Sequence, residues 1–310
     1  MSRAESGPAR PAWATPLADP AVVRTRDGWI AYGTGPVVDG RAVPAALSPD
    51  LVTWHGIGQV LDALPPDAGD SYWAPEVCER DGAWWMYYSV GHGDRGHRIR
   101  VARADRPEGP FHDQGVVLTP DERFAIDASP CRLEDGTWWL FFARDVLEHA
   151  RPGTHLAAAP LLSPTQLGEP VSVLAPYADW QIYQRRREMY GRTFDWHTLE
   201  GPHVVARGGR LLMTWSGGSW QGAGYRTAWA WATSPRGPWT VPEDGADVLL
   251  RSDDEFIGPG HNSCTLGPDG QDVIVFHAWD EARTGRYMHL RELLVDPVAP
   301  SLRVGRRLGG

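Results

Sequence analysis

Cysteine is scarce in this chain of 310 residues. Cys78, Cys131 and Cys264 are far apart and form neither a Cys-x-x-Cys pair nor a Cys/His metal spacing. That excludes a zinc ribbon or a disulfide framework. Three thiols set in apolar runs read as buried free cysteines of a reducing compartment. Long apolar stretches are missing too. No window approaches the roughly 18 residues of a membrane span, and the opening "MSRAESGPARPAWATPL" lacks the apolar core of a secretory signal. The expected location is therefore cytoplasmic, and residues 1–15 read as a loose tail ahead of a single catalytic domain at 16–310. An excess of base is also lacking: 30 Lys and Arg stand against 39 Asp and Glu, a net charge of −9. Nucleic acid and anionic membrane are thereby excluded as main partners. The one basic run, Arg185–Arg187, reads as a solvated loop. Helical periodicity is absent as well.

What the chain has instead is tryptophan and a repeat. Sixteen Trp exceed ordinary usage and serve either as core filler or as stacking platforms for flat ligands such as sugar rings. A glycine followed by alternating aromatic and aliphatic residues recurs as "GWIAYGTG" from Gly28, "GAWWMYYSVG" from Gly82 and "GTWWLFFARD" from Gly136. It returns as "GRLLMTWSGG" from Gly209 and "GQDVIVFHAWD" from Gly270. The intervals are 54, 54, 73 and 61 residues, and Asp precedes the glycine in four of the five. Asp-Gly between β-like runs marks a hairpin. Pro-containing turns follow four of the runs, so each unit reads as four short antiparallel strands. The pattern predicts an all-β fold, a five-bladed β-propeller with four antiparallel strands per blade. The longest interval places an extra segment at 179–197.

Nine residues before the five glycines stand Asp19, Trp73, Asp127, Glu200 and His261. If the first strand of each blade lines the axis, these positions converge although they span 242 residues. Each has a plainer reading: Asp19 in "ADPAVV" suits a turn, His261 a hydrogen-bonded core histidine, and Trp73 core packing. Together they form a ring with three carboxylates, whose mutual repulsion separates their protonation and keeps one neutral. His277 and Trp279 read as ordinary strand residues.

These segments resemble glycoside hydrolase family 43, the propeller arabinanases, arabinofuranosidases and xylosidases. The likeness rests on "ADPAVV", "YWAPEV", "FAIDASP", "LEGPHVV" and "GPGHNS", each with the aromatic run that follows. The resemblance implies Asp19 as general base, Glu200 as general acid, and Asp127 as the third carboxylate that raises the acid's pKa and orients it. It implies His261 as the axial histidine near a bound metal ion, often Ca2+, reached mostly through water. Calcium prefers oxygen ligands, so a core histidine stays open as the alternative. Sugar contacts are expected from Trp73, Glu76, Ser129, Trp196 and His203. Glu76 stands where Asp is usual in WAPD, and "IDASPC" departs from the common continuation near Ser129.

The function implied is inverting, exo-acting hydrolysis releasing a terminal pentose from an oligosaccharide containing arabinose or xylose. An α-L-arabinofuranosidase leads, with β-xylosidase and endo-arabinanase as alternatives. The aromatic stretch 179–197 before Glu200 is expected to wall the pocket, and a cytoplasmic diet of short oligosaccharides points the same way. A non-catalytic carbohydrate-binding propeller and an inverting phosphorylase remain the rival classes.

Overall fold

The computed structural model describes residues 7–296 and 298–308, and among them every regular element is a strand apart from two short 3-10 turns. No helix is long and apolar enough to cross a membrane. The first sheet runs β1 (Ala18–Thr25), β2 (Gly28–Thr34), β3 (Arg41–Ser48), β4 (His55–Asp62), each antiparallel to the last. The second repeats that order with β5 (Ser71–Arg80), β6 (Ala83–His92), β7 (Arg95–Ala104) and β8 (His112–Val117).

A ten-stranded sheet follows. Its first part is β9 (Ala125–Arg132), β10 (Trp138–Val146) and β11 (Gly153–Ser163), with β12 (Gln166–Leu167) and β13 (Val171–Leu174) on β11. A hairpin of β14 (Ile182–Met189) and β15 (Arg192–Arg207) leads into β16 (Arg210–Gly217), β17 (Arg226–Ala232) and β18 (Val248–Leu250). A parallel bridge of Gly153–Thr154 with His197–Thr198 joins the two parts. The last sheet is β19 (Ile257–Leu266), β20 (Asp272–Trp279), β21 (Arg286–Asp296) and β22 (Ser301–Arg307).

Turn chemistry explains the hairpins. Between β5 and β6 the two loop residues Asp81 and Gly82 both have positive φ, 55° and 75°, and Gly208 and Gly209 do the same between β15 and β16 at 56° and 73°. This is the two-residue turn whose twist matches the strands. Successive runs such as "WMYYSV" bury both faces, because each sheet is packed between two others.

The core lies between sheets rather than within one. Ile30 and Tyr32 meet Met86 and Tyr88; Ile99 and Val101 meet Leu140 and Phe142; Phe141 meets Met213 and Trp215; Leu212 meets Ile274 and Phe276. Val22 and Ala31 then meet Val273 and Val275, so the last sheet packs on the first. Polar bonds fasten that seam: Trp29 Nε1 donates to Leu266 O (2.8 Å) and Ser263 Oγ to Pro20 O (2.9 Å).

The N-terminal segment differs from expectation. Residues 1–6 lie outside the described residues, but Ala9 and Ala12 donate backbone hydrogen bonds to Glu255 and Met288, and Trp13 packs on the seam cluster. From Ala9 onward the tail is therefore held against the last sheet and the segment leading into it, because its apolar side chains gain burial there.

Candidate active site

One backbone irregularity sets out the site. In β1, β5, β9, β15 and β19 the register slips, and a residue with positive φ sits at the slip: Asp19 (51°), Ala74 (44°), Asp127 (60°), Gly201 (58°) and His261 (46°). Such bulges bend a strand and re-aim its side chains. Four of the five are not glycine, a conformation costing on the order of 1–3 kcal/mol each. Each amide at the slip finds an acceptor on the preceding strand group. Ala74 donates to Thr34 Oγ1 (2.8 Å), Asp127 to Ser89 Oγ (3.0 Å), His261 to Ser216 Oγ (2.7 Å) and Asp19 to His277 Nδ1 (3.1 Å). At the equivalent place β10 offers Ala143, which has no side-chain acceptor, and Gly201 N–H donates to Asp127 Oδ2 instead (2.9 Å).

The bulge corrects the spacing argument. Counting nine residues back is right for Asp19, Asp127 and His261, but in β5 and β15 it lands one residue early. In those two hairpins the glycine is itself the second loop residue, whereas Gly28 follows its loop, so the equivalents are Ala74 and Gly201. Trp73 and Glu200 precede the slip and still reach the same cavity.

That cavity holds about 390 Å3. Its lining brings together Asp19, Trp73, Asp127, Glu200 and His261, with Thr34, Phe124, Tyr183, Arg187, Trp220 and Arg286. Asp19 Oδ1 accepts from Arg286 Nη1 at 3.0 Å, and the guanidinium lies over the Trp220 ring at 4.6 Å and near Trp279 at 5.8 Å. His277 Nδ1 faces both the amide and the carboxylate of Asp19 (3.1 and 3.2 Å), so it serves one at a time: without a proton it accepts from the amide, and with one it donates to the carboxylate. Glu200 Oε1 accepts from the Tyr225 hydroxyl. Trp73 stacks on His97 with ring centroids 3.7 Å apart.

The carboxylates are buried alike but held in different states. Burial by itself would raise Asp19, yet Arg286, His261 and His277 outweigh it and keep its carboxyl well below the ordinary range. Glu200 is pushed up to about 7 by burial first and by the charge of Asp19, with Tyr225 and Arg286 pulling the other way. Asp127 is raised well above its ordinary value by burial, then by Glu200 and Asp19. Burial lowers His261, and holds His277 down at about 4.

Other expected residues lie elsewhere. Glu76, Ser129 and His203 meet one another: His203 Nδ1 is 3.0 Å from Glu76 Oε1 and 3.4 Å from Ser129 Oγ, and none of the three lines the cavity. Side chains beyond the slip alternate away from the pocket, which sequence spacing does not reveal. Trp196 is also behind the wall, buried with Phe194 and under the Arg187 guanidinium at 5.6 Å. The stretch 179–197 is a hairpin whose cavity-facing members are Tyr183 and Arg187. Arg187 is thus no solvated loop residue; its side chain is 17% exposed and pairs with Asp94 at 3.3 Å, while Arg185 and Arg186 stay exposed. His277, taken for a strand residue, is one and also touches Asp19. Arg286, Tyr225 and Trp220 had no local sequence signal.

The donor set does not assemble a cage for calcium. Among the described residues no group of three metal-ligating side chains forms. His261 Nδ1 lies 3.6 Å from Asp19 and 3.9 Å from Asp127, but Arg286 already neutralises Asp19, and one imidazole offers a hard cation little.

The sequence profile of glycosyl hydrolases family 43 matches residues 8–300. Alpha-L-arabinofuranosidase 43 of Humicola insolens is 27% identical, covering 84% of this chain and 54% of the relative. The extracellular exo-alpha-(1->5)-L-arabinofuranosidase of Streptomyces avermitilis is 26% identical, with the same 84% and 54% coverage. The chain thus spans about half the length of these curated relatives. The crystal structure of a thermostable family-43 glycoside hydrolase superposes with a TM-score of 0.83 at 26% identity, covering 98% of this chain and 97% of the other.

The relative named as extracellular overturns the cytoplasmic expectation. A missing apolar leader carries no information on where the chain works, and neither do the thiols. Burial pushes all three up to about 12, which leaves them unreactive in any compartment. The match along almost its entire length, with the same fold in a solved family member, places the chain in glycosyl hydrolases family 43, a family of glycoside hydrolases.

Proposed function

We propose that the protein is an inverting, exo-acting glycoside hydrolase that releases a terminal pentose, with α-L-arabinofuranosidase activity ahead of β-xylosidase or endo-arabinanase activity. The carrying observation is the split in protonation within one cavity: Asp19 is held ionised while Glu200 keeps its proton up to about 7. A base and an acid are then ready together at neutral pH. Asp19 takes the proton of a water attacking the anomeric carbon, and Glu200 gives its proton to the departing oxygen. Asp127, whose carboxyl is raised by burial and then by Glu200 and Asp19, positions the acid by accepting a hydrogen bond from the amide of Gly201, the next residue. It acts through the backbone, since Glu200 owes its high pKa to burial and Asp19.

Exo attack is supported by the cavity's size, near the lower end of the roughly 300–1,000 Å3 typical of ligand sites, and by the wall of Trp220, Arg286 and Tyr183. The names of the relatives favour arabinofuranose. On this reading the ten-stranded sheet is two blades joined at Gly153–Thr154, and five blades surround the site.

Two guanidiniums in the cavity, Arg187 and Arg286, favour one second reading, a phosphorylase that uses phosphate in place of water. Both are already paired, with Asp94 and Asp19, which favours hydrolysis.

A panel of p-nitrophenyl pentosides, assayed with and without inorganic phosphate and followed by proton NMR of the first anomer formed, tests the proposal. Inversion without a phosphate requirement is expected, with loss of turnover in Asp19→Ala. A retained anomer, a phosphate requirement or an active Asp19→Ala overturns it.

A further inference from the structure

A second cavity of about 770 Å3 opens beside the first, with Asp94 and Phe124 as their common wall. Its other sides are the tip of the β14–β15 hairpin (188–193), the start of β7 and Arg123. No residue of β1 or β19–β21, the strands carrying Asp19, His261 and Arg286, contributes to it. Of the strands that carry the acid and the base, it draws only on β15, the strand of Glu200, through its first residues Arg192 and Thr193. In an inverting displacement the water enters opposite the leaving group. Given the acid–base assignment above, on which this inference rests, the second cavity lies where the departing sugar belongs.

Its charge is informative in a protein of net −9. Asp94 is engaged by Arg187 at 3.3 Å, and Arg192 by Glu148 at 2.6 Å. That leaves Arg95 and Arg123 against Glu188. Arg123 has no carboxylate within salt-bridge distance among the described residues, and its guanidinium rests over the Tyr190 ring at 5.6 Å. Arg95 reaches only Asp94, at 3.9 Å, with its side chain 90% exposed. A planar guanidinium backed by an aromatic ring and lacking an anion is suited to a carboxylate.

We propose that the second cavity is the leaving-group site and that it recognises an acidic sugar, a uronate-bearing oligosaccharide, through Arg123 and Arg95. The carboxylate meets the two guanidiniums while the neutral pentose fills the catalytic cavity. Selectivity for charged over neutral chains is then set away from the reacting atoms.

The test uses a pentose-substituted oligosaccharide carrying one uronic acid, and the same compound with that carboxyl reduced to the alcohol. Wild type is expected to favour the acidic form by about tenfold in kcat/KM, the scale of one charge-assisted hydrogen bond, and to lose the preference as salt is raised. The double variant Arg95→Gln, Arg123→Gln should treat both forms equally. Equal rates of wild type on both forms, or a preference surviving in the double variant, overturn the inference. Calorimetric binding of the two oligosaccharides to wild type and the double variant gives the same comparison without turnover. The inference is thereby decided even if aryl pentosides are not hydrolysed, a result that would count against the proposed function alone.

Discussion

Two carboxyl groups share one cavity and both are shut away from water, yet they rest in opposite states. Around Asp19, on the seam between the last sheet and the first, stand a guanidinium and two imidazoles. Around Glu200, on β15, stand a phenol and the negative charge of Asp19 itself. Burial acts on both in the same direction, so it cannot divide them. The division comes from which charged partner each strand meets. Arg286 contributes twice: it stabilises the ionised base, and by fixing that charge it leaves a negative neighbour for the acid.

The comparison breaks most completely at the acid. Glu200→Gln should cost on the order of 10²–10⁴-fold in kcat on natural linkages, whose leaving oxygen needs a proton. It should cost far less on aryl pentosides with acidic leaving groups. Equal losses on both, measured by steady-state kinetics, would remove Glu200 from that role.

Next in size is the partner of the base. Turnover needs Asp19 ionised and Glu200 protonated. It should rise as pH climbs through the depressed pKa of Asp19 and fall as Glu200 loses its proton at about 7. Arg286→Met withdraws a cation from both groups and most from Asp19, so both limbs move to higher pH. The acidic limb should move further, by roughly 1–3 units. An unmoved acidic limb in the kcat/KM profile would show that Arg286 does not hold the base.

The smallest effect is at Tyr225. Its hydroxyl favours the ionised form of Glu200, so Tyr225→Phe should raise the alkaline limb by less than about one unit and leave the acidic limb in place. A downward shift would reverse the assigned sign.

Much of this site was legible in the sequence, because a repeat turns distant positions into equivalent ones. Asp19, Asp127 and His261 stand nine residues from their glycines and at the slip in their strands. Trp73 and Glu200 were found by the same count for an imperfect reason, since in their hairpins the glycine stands inside the loop, one place nearer the slip. Glu76, Ser129 and His203 were carried along by motif and cluster apart from the cavity. A one-residue change of register reverses the direction of a strand side chain, and spacing alone does not show where a bulge falls. Arg187 sat in a basic run that reads as solvent-exposed, and only the hairpin turns it inward.

The sequence by itself determined strands, turns and the repeat, because Asp-Gly pairs and alternating apolar runs act through neighbours along the chain. It also determined that acids recur at one place in that repeat. The tertiary structure alone decided which acid is ionised. That depends on Arg286, His277 and Tyr225, which meet Asp19 and Glu200 across strands and carry no mark in their own neighbourhoods. Electrostatic energy depends on distance through space, and the linear order of residues does not contain that distance.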